Sequence, residues 1–220
     1  MFRACESMDA RAWMAVAEAW TMIFYRAPAQ PSSARVAAWR RLHRLGAVYL
    51  GPSACALPTR LNTDDELAAI AAGLRAAGGS FEAYVVERFE ADAERRLKAV
   101  YNAARDAEYE ELIERADAVV RELEREGARD KFTFAEVEEN EADLARLQRW
   151  ARRIRWRDVF GASRREAGEA AVRAAQERLD TFVRIATERD SGTEENGAPV
   201  QAADALDQED ASPPSRAADR

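Results

Sequence analysis

Histidine occurs once, at His43, and cysteine twice, at Cys5 and Cys55, in a chain of 220 residues. A lone histidine excludes a multi-histidine metal site and a Ser-His-Asp relay alike, since each needs its imidazole among fixed partners. The two cysteines fit no zinc or redox spacing, and so distant a pair suits a reducing compartment better than a disulfide framework. No glycine-rich phosphate loop and no CxxC motif occur. No apolar run approaches the about 18 residues that would span a bilayer. Glu6, Asp9 and Glu18 interrupt the opening stretch, so it lacks the core of a signal peptide, and residues 1–17 read as an N-terminal extension. Glycine and proline are sparse, 10 and 7 in all, which favours helix through the middle of the chain. These absences point to no metal, no cofactor and no enzyme.

What is abundant is charge, and it is distributed unevenly. The net charge is −7, and hydrophobic residues make up 47%, enough for one good-sized core or two small ones. From Glu188 to Arg220 nine acids face three arginines, so residues 1–187 sum to −1. Residues 20–60 hold six arginines and no acid, and residues 144–165 hold eight arginines against Asp158 alone. Two basic blocks in a near-neutral body indicate an anion-binding face more directly than the net charge does.

The order of elements follows from local pattern. Residues 19–26 are rich in aromatic and β-branched side chains, and Pro28 and Pro31 end that strand. Ser32 or Ser33 caps a basic helix with Val36, Trp39 and His43 on one side, closed by Gly46. Gly51-Pro52 joins two short strands, 47–50 and 53–57. Thr63 and Glu66 form a capping box ahead of a helix whose buried stripe is Leu67, Ile70, Ala71 and Leu74. After Gly78-Gly79, Phe81 to Arg88 alternate as a fourth strand. This βαββαβ order is the ferredoxin-like unit, over residues 18–90. Residues 91–188 then read as a helical region of three long helices, with Val100, Ala104, Ala167 and Ala174 among the expected inward positions. Residues 189–220 read as a disordered acidic tail. The fold class is α+β.

The first candidate site is Arg26 at the end of the first strand together with Arg35, Arg40, Arg41 and Arg44 on the basic helix. Acid-free arginines at helical spacing can take phosphates by charge-assisted, bidentate contacts. The first strand ends in Arg26 and neutral residues, where a metal-dependent nuclease of this fold would need an acid. The second candidate is the ridge Arg149, Arg152, Arg153, Arg155 and Arg157, with Arg146 before it. Trp150 and Trp156, which lie within it, are expected in the core. Glu108 to Glu111 and Glu138 to Glu141 read as solvated helix surface. Candidate sensors are Cys55, a thiol open to oxidation, and His43 among the arginines.

The stretch from Trp20 to Pro58 resembles the opening of the ChrB family of chromate-resistance regulators. The likeness rests on Tyr25-Arg26-Ala27-Pro28, Pro31-Ser32-Ser33, Val36 to Leu42, Leu45-Gly46-Ala47 and Leu57-Pro58. The stretch Ile154 to Ala162 is similar to that family's downstream turn, and the resemblance spans about residues 18–185. It implies a cytoplasmic, DNA-binding transcriptional regulator that responds to chromate or another oxyanion and works as a homodimer. Arg26, Arg40, Arg41 and Arg44 fall on the family's basic motif, and Trp39, Leu45 and Gly46 on its structural frame. Members continue into a carboxy-terminal domain, where this chain has its acidic tail. A non-enzymatic helical module that docks a protein partner is the alternative reading.

Overall fold

A computed structural model describes residues 13–28 and 32–195. The elements run β1 (Trp13–Arg26), α1 (Ser32–Leu45), β2 (Val48–Gly51), β3 (Ala54–Pro58), α2 (Asp64–Ala76), β4 (Ser80–Glu90), α3 (Ala91–Ala128), α4 (Phe134–Arg157) and α5 (Arg165–Glu195). The four strands form one antiparallel sheet in the order β2-β3-β1-β4, the ferredoxin-like arrangement expected from the βαββαβ order.

Two boundaries differ from the sequence reading. β1 starts at Trp13, so residues 13–17 belong to the sheet rather than to an extension; β4 runs on to Glu90 and supplies the partner for Trp13 to Ala15. Trp13 and Val16 alone are too short a strand signal between alanines to set the boundary, and the pairing is non-local. α5 continues to Glu195, past the expected end of ordered helix. Residues 1–12 of the extension and 196–220 of the acidic tail lie outside the described residues.

α1 and α2 cover one face of the sheet, burying Ile23, Tyr25, Leu57 and Phe81 against Leu42, Ile70 and Leu74. The α2 stripe is as the sequence predicts. Its capping box is not formed: Thr63 is the N-cap residue but its side chain makes no cap hydrogen bond, and it is buried. On the opposite face Trp20, fully buried, stacks on Phe160 at 5.3 Å and meets Tyr101 edge-on at 5.6 Å. The start of α3 and the turn after α4 therefore seal part of that face.

α3, α4 and α5 enclose a separate core of Leu112, Leu123, Leu144, Ile154, Leu179 and Phe182. α3 opens with the Glu90 carboxylate accepting from the Asp92 and Ala93 amides at 3.1 and 3.0 Å, and α4 with Thr133 Oγ1 accepting from the Glu136 amide. Gly168 lets α5 approach α3, since a Cβ there would lie 2.7 Å from the Tyr109 ring. Three expected inward residues are exposed: Val100, Ala167 and Ala174. Tyr101, Gly168 and Ala175, each one position along, are buried in their place. No helix among the described residues is long and apolar enough to cross a membrane.

Candidate nucleic-acid interface

α1 packs on the sheet through Ala38 and Leu42, with Leu45 partly buried. Val36, Trp39 and His43 share one side, as their spacing predicts, and that side faces outward, Trp39 being 46% exposed. Small Ala38 allows the helix to sit close to the sheet, a gain that outweighs the larger but bulkier tryptophan. Trp39 and His43 stack on each other instead, 5.4 Å apart and 11° from parallel. Arg35, Arg40 and Arg44 are exposed and Arg41 is half-buried, with Arg26 exposed at the end of β1. Arg35 Nη2 donates to the Pro28 carbonyl at 3.4 Å. Arg26, Arg40, Arg41 and Arg44 have no acidic partner among the described residues.

The ridge on α4 divides by side. At 100° per residue, Arg149, Arg152, Arg153 and Trp156 share the side opposite Leu147 and Ile154. These three arginines are exposed and unpaired among the described residues. Trp156 is 51% exposed, against the expectation of a core position, while Trp150 packs partly buried against the bundle. Trp156 sits about 160° around the helix from Ile154, on the side turned away from the bundle core. Arg155 reaches Glu169 of α5 at 3.5 Å, and Arg146 pairs with Asp143 on its own helix.

Arg157 leaves the ridge altogether. Its side chain is 8% exposed; Nη2 meets Glu108 at 2.5 Å and Nη1 donates to the Arg44 carbonyl at 3.0 Å. Arg105, 2% exposed, binds the other oxygen of Glu108 at 3.0 Å and donates to the Gly46 carbonyl at 3.2 Å. Two buried guanidiniums thus cap the carbonyl end of α1, where the helix dipole favours a cation, and share one carboxylate. Gly46 makes room for them: its φ is +90°, and a Cβ would fall 2.6 Å from Arg157 Cδ. Tyr101 donates to the Arg157 carbonyl at 2.7 Å, and its ring lies 4.9 Å from the Arg105 guanidinium. Tyr109 donates to Asp158 at 3.3 Å, and Asp158 also accepts from the Ala162 amide at 2.8 Å. Burial pushes both phenols above their ordinary value, so they remain donors at neutral pH.

Glu108 is therefore not solvated helix surface, and neither it nor Arg105 was marked by the sequence. Their i, i+3 spacing was the only signal, and many surface pairs share it. The network also joins the two basic blocks. Residues 113 apart in sequence meet at the Arg44–Arg157 contact, so the carbonyl end of α1 lies at the C-terminal end of α4.

Of the candidate sensors, Cys55 is fully buried beneath α1 and α2, and burial pushes its thiol up to about 12. It is held as the unreactive thiol rather than as an exposed thiolate. His43 is exposed and carries the stack with Trp39.

The family described as Protein ChrB, N-terminal matches residues 35–190, most of the chain. The chain belongs to that family, and with it to the proteins associated with chromate resistance. No curated protein and no solved structure matches it.

Proposed function

We propose that this ChrB-family chain binds DNA through the arginines of α1 and α4, as a non-catalytic transcriptional regulator. The observation that carries this reading is the meeting of the two basic blocks at the Arg44–Arg157 contact. Around it stand arginines on both helices that no acid neutralises among the described residues. Arginines that the fold leaves unpaired are free to exchange condensed counterions for phosphates, which is the dominant source of protein–DNA affinity. Those already satisfied, Arg157 and Arg105, hold the two helices in place. In this reading the protein works in the cytoplasm as a homodimer on the control region of a chromate-resistance operon, with chromate or another oxyanion tuning its affinity. Family membership supports the chromate connection, and the arginine arrangement supports the nucleic acid.

Fluorescence anisotropy with duplex fragments from upstream of the protein's own operon, taken over a series of salt concentrations, tests it. Reversing Arg40, Arg41 and Arg44 to glutamate removes three phosphate contacts and should flatten the slope of log K against log salt by about 3. An unchanged slope and affinity would exclude this interface. A wild-type chain that binds no DNA, yet captures a protein through its bundle, would favour the interaction-module alternative.

A further inference from the structure

A groove of about 440 Å³ opens between the end of β1, the first turns of α1 and the β2–β3 turn. Arg26, Arg35, Trp39 and Tyr49 form its chemistry, with Val36 and Pro52 at its margins. Its volume falls within the range that holds a nucleotide-sized ligand. Its composition sets it apart. Among the described residues no carboxylate lines it, whereas the wider groove between α3 and α4, about 870 Å³, mixes Glu111, Glu122 and Asp143 with its arginines. The grooves beside α5 and beside β4 also hold acids, Asp180 and Asp64. A ligand carrying phosphate meets carboxylates at those three and none from the described residues here.

The aromatic groups say what else the ligand carries. A tryptophan 46% exposed on a helix leaves part of an apolar ring in water. Trp39 is backed on one side by the parallel His43 ring, which fixes the plane of the indole. Tyr49 is held from below by the buried Tyr25, whose hydroxyl donates to Tyr49 Oη at 3.5 Å, leaving the Tyr49 proton free to donate outward. A flat ring system entering the groove would find an indole to stack on, a phenol to hydrogen-bond and two guanidiniums for adjoining phosphates. Base-on-aromatic stacking beside cations is the common device for holding unpaired nucleotides.

We infer that this groove binds an unpaired nucleobase with its phosphate, Trp39 stacking on the base and Arg26 and Arg35 taking the phosphates. The inference rests on the nucleic-acid reading above and adds to it a preference for single-stranded or locally opened DNA over a fully paired duplex. The remaining arginines of α1 and α4 serve either form, because both carry phosphates. Only an unpaired base serves Trp39. The same chemistry could be supplied by a free mononucleotide.

The test uses the full chain and three ligands: a labelled 12-nucleotide oligothymidylate, a paired duplex of the same length, and unlabelled thymidine monophosphate as competitor. The expected result is tighter binding of the single strand. Trp39→Ala should weaken single-strand binding roughly 5- to 100-fold and leave duplex binding within about twofold. Trp39→Phe, which keeps a ring to stack, should recover much of the loss. Because Trp39 is exposed, the variant should retain the wild-type far-ultraviolet circular dichroism. Thymidine monophosphate competing as strongly as the oligonucleotide would support the site and identify the free nucleotide as its ligand. Duplex preference with no effect of Trp39→Ala would overturn this inference and leave the duplex-binding reading standing. No binding of any ligand at low salt would overturn both.

Discussion

Replacing Glu108 by Gln changes almost nothing in shape and should cost the protein a large part of its stability. One oxygen of Glu108 lies 3.0 Å from Arg105 Nη2 and the other 2.5 Å from Arg157 Nη2. Glutamine can present an acceptor to one guanidinium only, so its amide donors must face the other. The charge that balances two arginines, 2% and 8% exposed, is also lost. Removing one partner of a buried pair typically costs about 3–5 kcal/mol. Glu108 is itself 17% exposed, so partial solvation favours the lower end, about 3 kcal/mol. For a chain of this size that corresponds to a fall in Tm of roughly 6–12 °C. Glu110→Gln is the matched control. It faces Arg164 at 3.0 Å with both side chains about half exposed, and such surface pairs contribute about 0–1 kcal/mol. Thermal melts followed by circular dichroism, with urea midpoints at unchanged m-value, measure both variants. Equal stability of the two variants, or a Glu108→Gln melt within about 2 °C of wild type, would refute the argument that Glu108 balances the arginine cap.

Two glycines should respond to alanine with opposite sign. Gly46→Ala strains a φ of +90° and drives a Cβ into Arg157 and Arg105, and should destabilise by about 2–4 kcal/mol; Gly73→Ala, in α2 with open space around it, should stabilise by about 0.5–1 kcal/mol in the same melts. In a Cys5→Ser background, a thiol-specific disulfide reagent at pH 8 should modify Cys55 only after denaturation; rapid reaction of the native protein would show that the thiol is reachable. Because folding raises the Cys55 thiol from 9.0 to about 12, the unfolded chain releases that proton first. Its contribution to stability is therefore complete below pH 9 and declines as pH climbs from there towards 12, which alkaline unfolding of Cys55→Ala against the parent should expose as a shallower loss.

Proline and glycine made the small domain legible. Pro28 closes β1, Gly46 ends α1 and Gly51-Pro52 turns β2 into β3, and each is a local restriction that tertiary structure has little power to override. The stripe of α2 was equally plain because Leu67, Ile70 and Leu74, the large apolar side chains of the helix, all fall on one side with Ala71. In α1 the side shared by Val36, Trp39 and His43 was legible, but not which side meets the sheet, because Ala38 and Leu42 offer a second apolar one. Hydrophobicity prefers the tryptophan, while close packing against a sheet prefers the alanine, and only the second is decided by the assembled fold. The length of β1 was hidden for a related reason, since Trp13 to Ala15 are strand only because β4 extends far enough to pair with them.

The arginines show most clearly why composition alone could not define the interface. Arg153 and Arg157 are four residues apart on one helix and differ in role because of what lies opposite each. Arg157 meets Glu108 and the end of α1, while Arg153 meets no acid among the described residues. The buried pair does not merely subtract from the basic face. Two cations from the bundle grip the last carbonyls of α1, so the helix carrying Arg40, Arg41 and Arg44 is fixed against the helix carrying Arg149, Arg152 and Arg153. A ligand that touches both helices then finds them already oriented and loses less affinity to ordering them. The arginines withdrawn from the surface thereby raise the value of those left on it.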